Sequence, residues 1–286
     1  MSHSTAVIIL NYFGHEDTAA CAESVWRHIE NAAVFIVDNS ACAAERSCLE
    51  KLFSSSSEAT LIFSQMNLGF AAGVNRGLQA ALEKGFSHFF LLNNDALLRE
   101  GAGGFLQQAF SQHPGCLIAP AINHGRLFCT GNYYHRYFGL VRMKKPLGSA
   151  GWLLYLSGCA LAFDGDFLAK NGFFQEAFFM YGEDVEFSAR ARDNKCELLC
   201  LKDFIIDHAG SSSSGMASFF YEYHVTRSHY LLTFYLFHNP LQRLLAVAAK
   251  TLSLLLRALL RCMRFKTAAP LKALCCAPFR LPVRPS

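Results

Sequence analysis

The chain has 286 residues, 52% of them apolar, which is enough for one large domain plus an appendage and excludes a disordered polar polymer. Its formal charge of +4 conceals an asymmetry: no acid follows Glu222, whereas ten of the 26 basic residues do, so a mildly acidic domain carries a basic tail. The eleven cysteines are scattered without a C-x-x-C pair, which argues against a disulfide framework or a cysteine zinc site and for a reducing compartment, and nothing near the N-terminus reads as an export signal.

Ala6–Leu10 is an apolar run ending at Asn11-Tyr12. A helical pattern from about Asp17 to His28 follows, then a second run, Val34–Val37, that ends at Asp38-Asn39-Ser40. This is a β-α-β unit. Ala43–Phe53 predicts the next helix, Ser54–Ser57 a loop, and Leu61–Phe63 a third strand, which stops at Asn67-Leu68-Gly69-Phe70. A helix from about Ala72 to Lys84 then leads into Phe89–Leu92, four apolar residues that predict a strand buried on both faces. Strands alternating with helices predict a parallel, doubly wound sheet.

The tip of that strand, Asn93-Asn94-Asp95, has two readings. An acid beyond the carboxyl end of a parallel strand can hold a metal or a phosphorylated ligand, and an Asx-rich turn can equally cap the next helix. The segment from Asn67 through Asn75 to Gly77 is likewise either a backbone cradle at a helix start or a plain strand-to-helix turn. It matches neither G-x-G-x-x-G nor the P-loop pattern.

A helix is predicted near Gly103–His113, a strand over Cys116–Pro120, hairpins within Arg126–Met143, and one long strand over Trp152–Phe163 interrupted at Gly158. The aromatic loop Gly172–Tyr181 precedes a helix, Gly182–Arg192, with acids in its first turn and arginines later. The helix dipole alone accounts for Glu183 and Asp184 there. Phe204–Ile206 is a short strand whose tip, Asp207-His208, leads into a Ser211–Ser214 loop, and a histidine at such a tip is commonly structural.

Leu241–Arg264 is apolar except mainly at the basic positions 243, 250, 257, 261 and 264, which fall within an arc of about 60° on a helix. The expectation is an interfacial helix with its apolar side in the acyl boundary and its basic side toward anionic headgroups. The alternative is a helix docked on the domain or on a second subunit. No uncharged apolar window is long enough for a membrane span, and the long apolar runs argue against nucleic acid as the partner.

Six motifs occur in order: Val37-Asp38-Asn39-Ser40, Asn67-x-Gly69-Phe70, Leu91-Leu92-Asn93-Asn94-Asp95, Leu156-Ser157-Gly158, Phe178-Phe179-x-Tyr181-x-Glu183-Asp184 and His208-x-Gly210-x-Ser212. Over about Val7 to His229 the chain resembles family-2 glycosyltransferases of the GT-A fold, in particular the rhamnosyltransferase-like bacterial members that build surface polysaccharides. The resemblance implies an α/β, doubly wound, mostly parallel sheet in a transferase domain over 1–230, and a basic amphipathic helical tail over 231–286. It implies that Asp38 contacts the donor base, that Asn67, Gly69, Asn75, Asn93 and Asn94 serve the rest of the donor, and that Asp95 and His208 hold Mn²⁺ or Mg²⁺. Asp184 would be the general base, with Glu183 the second candidate, and Gly158, Glu176 and Glu183 would face the acceptor. Two positions depart from the family pattern: Asn93 stands where an acid is common, and Gln175 stands where Asp is usual.

The implied activity is an inverting, metal-dependent transfer from a nucleotide sugar, such as dTDP-rhamnose or a UDP-hexose, to a lipid-linked or lipopolysaccharide-type acceptor. The implied location is cytoplasmic, peripheral on the inner face of the cytoplasmic membrane. Carboxylate and imidazole suit Mn²⁺ or Mg²⁺, and a carboxylate can take the proton of an attacking hydroxyl. The alternative is an inactive homologue acting as a membrane-bound scaffold. A nucleotidylyltransferase is disfavoured because Asn11-Tyr12-Phe13-Gly14 is not its Gly-rich, Arg-containing loop, and a processive synthase because no Gln-x-x-Arg-Trp is present.

Overall fold

The computed structural model describes residues 5–125, 127–148, 150–208 and 218–280, the last two without their side chains. The expected Ser211–Ser214 loop and the Gly and Ser of the last motif lie outside the described residues. The first half of the chain alternates as expected: β1 (Thr5–Asn11), α1 (His15–His28), β2 (Ala33–Asp38), α2 (Ala43–Phe53), β3 (Ala59–Phe63), α3 (Gly69–Glu83) and β4 (His88–Asn93). These strands pair in parallel in the order β3-β2-β1-β4. The chain order reverses between β1 and β4, so their carboxyl tips flank a crevice.

Side chains alternate across this sheet and both faces are dry. Val7, Ile9, Phe90 and Leu92 pack on one side beneath α1, while Ala6, Ile8, Phe89 and Leu91 pack on the other beneath α3. Each such large side chain contributes about 1.5–3 kcal/mol of burial.

The chain continues through β5 (Ala96–Leu98), α4 (Ala102–Gln112), β6 (Leu117–Asn123), the short β7 (Phe128–Cys129), β8 (Asn132–His135), β9 (Val141–Arg142), β10 (Trp152–Tyr155), β11 (Ala160–Asp164), α5 (Gly165–Asn171), α6 (Glu183–Asp193) and β12 (Leu198–His208). β11 enters antiparallel to β4 and β6, β12 runs parallel to β6, and β5 closes that edge antiparallel to β12. β8, β9 and β10 form a separate three-stranded sheet.

Trp152–Phe163 is therefore two strands in two sheets rather than one long strand. Both halves are apolar because both are covered, and the polar Ser157-Gly158 step carries the chain from one sheet to the other. α5 was not expected; Asp164 starts it by accepting a 2.8 Å hydrogen bond from the Phe167 N–H. β12 is longer than the expected strand, and its register shifts between Leu201 and Ile205.

The tail comprises α7 (Phe219–Leu236), α8 (Pro240–Phe265), α9 (Ala269–Cys276) and a closing turn over Ala277–Arg280. Position 230 falls inside α7, which passes from the sheet domain to the tail without a break. Asn239 caps α8 through the Leu241 and Gln242 N–H groups, with Pro240 in the first turn. The orientation of α8 corrects one expectation: its basic stripe faces the protein, not an external surface. Arg257 and Arg261 bind the fully buried Glu222 of α7 at 2.6 and 2.5 Å. Lys250 is also fully buried and donates to His229 O and Thr233 Oγ1, burial pushing its ammonium down to about 7. Glu222, the last acid of the chain, collects the two arginines, and α8 turns its apolar side outward. No helix among the described residues is long and apolar enough to cross a membrane.

Candidate active site

A cleft of about 610 Å³ opens at the carboxyl tips of β1, β2 and β4 and is closed on the far side by α6 and the 178–181 loop. Asn67, Gly69, Asn93, Asn94, Asp95, Gly158, Glu183, Asp184 and His208 all line it. Asp38, Asn75 and Glu176 do not.

Sheet register explains why Asp95 and His208 meet. β5 begins immediately after Asp95, and its Ala96 pairs with His208 at the end of β12. Asp95 Oδ1 lies 3.0 Å from His208 Nε2, and Asn93 Nδ2 lies 3.4 Å from the same nitrogen. His208 Nδ1 faces His124 Nδ1 at 3.2 Å. Burial and the neighbouring ring hold His124 below its ordinary value, so as a neutral ring it can accept the Nδ1–H of His208 and leave the Nε2 lone pair for the cleft. Sequence reasoning did not identify His124, because its position follows from the β6–β12 register alone. Asp95 and His208 fit a divalent cation that takes its other ligands from diphosphate oxygens and water. Among the described residues no three His, Cys, Asp or Glu side chains group to hold a metal by themselves.

On the donor side, Asp38 is only 2% exposed and its oxygens accept from Asn11 Nδ2, Ser40 N and Ser40 Oγ at 2.9–3.1 Å. It joins the tips of β1 and β2 behind the cleft. Asn39 comes forward instead, donating to Asn67 Oδ1 and Gly69 O and accepting from Leu68 N. Asn94 ties the β4 tip to the start of α1 through Thr18 Oγ1 at 3.2 Å. Tyr12 and Phe13, half exposed at the end of β1, add an aromatic rim that sequence reasoning passed over.

The Asn67–Gly77 segment is not an open loop. Helix α3 already begins at Gly69. A Cβ at Gly73 would lie 2.5 Å from Leu10 Cδ1, and one at Gly77 2.5 Å from Ile8 Cγ2, so these glycines let the helix lie close on β1 and do not face a ligand. Gly69 differs: its φ is +80° and a Cβ would lie 2.2 Å from Phe179 O. The adjacent Phe70 N–H donates to that same carbonyl at 2.6 Å, which latches the donor-side turn to the 178–181 loop. Asn75 points away from the cleft, donating to Phe174 O and Glu176 Oε1 at 2.9 and 3.0 Å. Asn75 and Glu176 thus brace the aromatic loop from behind.

The opposite wall carries the acids. Asp184, at the start of α6, accepts from Gly158 N at 3.2 Å and Val185 N at 2.8 Å. Glu183 is 7% exposed, lines the cleft, and its Oε2 has no hydrogen-bond partner among the described residues. Burial raises both carboxyls above their ordinary values, Glu183 further because Asp184's charge adds to it. Two adjacent buried acids raised unequally can hold one proton at neutral pH, leaving Asp184 as the carboxylate. Of the aromatic loop, Phe179 and Tyr181 face the cleft, whereas Phe174 stacks on Phe187 on the other side at 4.1 Å.

No protein-family model matches this sequence, and no curated protein does. Solved structures do match in shape. GalNAc-T7 with UDP, GalNAc and Mn²⁺ superposes with a TM-score of 0.62 at 13% identity, over 79% of this chain and 47% of that one. S. aureus TarS 1-349 in complex with UDP gives 0.55 at 15%, over 80% and 65%. The mannosyltransferase PcManGT from Pyrobaculum calidifontis, with GDP-Man and Mn²⁺, gives 0.57 at 13%, over 96% and 86%. The chain spans about half of the first of these and about two-thirds of the second. Together with the strand order, these likenesses define the class of structure: the chain has the GT-A fold.

Proposed function

We propose that this chain is a divalent-metal-dependent inverting glycosyltransferase of the family-2, rhamnosyltransferase-like group. It moves a hexosyl or deoxyhexosyl unit from a nucleotide sugar to a hydroxyl of a lipid-linked or polysaccharide acceptor. The observation that carries the reading is the convergence of the Asp95–His208 pair and the Asp184 carboxylate on one cleft at the switch point of a GT-A sheet. The ligands of the shape-matched structures, UDP, GDP-mannose and Mn²⁺, are of the class this cleft would take.

Asn39, Asn67 and Asn94 present amides to the donor, and Asp95 and His208 would hold a divalent cation, whose charge would offset that of the leaving nucleoside diphosphate. Asp184 takes the proton from the acceptor hydroxyl as its oxygen bonds to the anomeric carbon and the bond to the leaving phosphate breaks. The Gly158 N–H orients the Asp184 carboxylate, and burial raises its basicity. Residues 1–230 form the transferase domain in this reading and 231–286 a membrane-associating tail on the inner face of the cytoplasmic membrane. Incubating purified protein with a nucleotide-sugar panel and Mn²⁺ tests it: one donor should release its nucleoside diphosphate, and Asp184→Asn should abolish that release.

A further inference from the structure

With Arg257 and Arg261 bound to Glu222 and Lys250 buried, α8 presents an apolar outer face that nothing covers among the described residues. Leu241, Leu244, Leu252, Leu256, Leu260 and Met263 are 53–69% exposed. They occupy an arc of about 160° opposite the basic stripe, along a helix about 39 Å long. The face does not end with the helix. Ser253 Oγ donates to Phe138 O at 2.6 Å, joining α8 to the β8–β9 turn, where Phe138 and Leu140 are 44–50% exposed; Val141 in β9 is 54% exposed, and Leu147, beyond β9, projects completely.

The charge around this face has one sign. Arg142, Lys144 and Lys145 are exposed beside the turn, and Arg264 and Lys266 at the end of α8. No acidic residue occurs between Glu100 and Asp164 or anywhere after Glu222, and Glu222 is buried between two arginines. We propose that this face, the outer side of α8 together with the β8–β9 turn, docks on an anionic lipid bilayer, with α8 lying flat and its leucines in the acyl boundary. A second copy of the chain fits poorly, since it would set cation against cation with no acid to answer them. An anionic headgroup layer over an apolar interior answers both features at once.

The position of this face also bears on the acceptor, a step that rests on the transferase reading. Arg261 binds Glu222, and Phe220, two residues earlier on α7, lines the cleft. Helix α7 thus links the two, holding α8 through Glu222 and lending Phe220 to the cleft that an acceptor hydroxyl carried on a lipid headgroup would enter.

Flotation of the full chain with phosphatidylcholine vesicles, and with the same vesicles containing phosphatidylglycerol, tests the docking. The protein should float with the anionic vesicles, and Leu244→Gln/Leu252→Gln/Leu256→Gln should weaken this at least about tenfold. Lys144→Glu/Lys145→Glu should reduce the preference for anionic over neutral vesicles. All five residues are exposed, so circular dichroism and melting should not change. Wild-type behaviour in both variants, or no flotation of the wild type, overturns the proposal. So does a wild-type dimer in light scattering that the leucine variant dissolves while neither protein floats, which assigns the face to a second copy. Donor turnover measured without vesicles separates the two claims: a chain that floats but turns over no donor defeats the transferase reading and leaves the docking standing.

Discussion

Replacing Gly69 by Ala tests the latch between the two sides of the cleft. The residue's φ of +80° costs an L-amino acid about 1–2 kcal/mol. The new Cβ, 2.2 Å from Phe179 O, meets backbone that cannot rotate away, so the 178–181 loop must shift and the 2.6 Å bond from Phe70 N–H stretches or breaks. That bond adds about 1 kcal/mol, for a total of roughly 2–3 kcal/mol. In a chain of this size that lowers the melting temperature by roughly 4–12 °C. Because the loop carries Phe179 and Tyr181 into the cleft, nucleoside diphosphate affinity measured by titration calorimetry should fall as well. A Gly69→Ala protein that melts within about 1 °C of wild type and binds nucleotide equally well refutes the latch.

Glu222→Gln strands two arginines in the α7–α8 interface, which should cost about 3–5 kcal/mol, read as a lower urea midpoint. Adding Arg257→Met/Arg261→Met should recover most of the loss. Activity should rise with pH through the titration of Asp184, with a midpoint above the ordinary carboxylate range; an acid limb centred near pH 4 would contradict its burial. Since Glu183's folded-state value is raised, the folded protein holds that proton after the unfolded chain has released it. Its contribution to stability is complete at low pH and is lost as pH rises, so Glu183→Gln should raise the melting temperature more at pH 9 than at pH 5. Glu176→Gln should leave the acceptor KM unchanged, because Glu176 braces the loop from outside the cleft; a large effect on acceptor KM would place it back in the site.

Much of the fold was legible because apolar runs of strand length alternate with helical patterns, and both sheet faces are dry. Ala43–Phe53 needed no correction, and β4 delivered Asp95 where its sequence suggested. What was not legible depends on pairing across the chain. Trp152–Phe163 is uniformly apolar, and apolarity does not say that its halves join different sheets. His124 reaches His208 only through the parallel register of β6 and β12. Asp38 and Asn75 sit in the right motifs, but hydrogen bonds to Ser40 and Phe174 turn them from the cleft, and adjacent Asn39 comes forward. The amphipathic pattern of α8 was plain, yet a helical wheel gives two faces without saying which meets the protein. The isolated Glu222, with arginines 35 and 39 positions later, was the available signal that the cations turn inward.

That one cleft joins a metal-assisted donor site to the Asp184 base can be read from nucleoside diphosphate release. The purified protein is incubated with a panel of nucleotide sugars and Mn²⁺, with EDTA as control, alongside Asp184→Asn and Asp95→Asn. Release is expected from one donor, lost in EDTA and in Asp95→Asn, and abolished in Asp184→Asn although that variant still binds the nucleotide. Donors left intact even when lipid acceptor extracts are supplied, or undiminished release from Asp184→Asn, would contradict it.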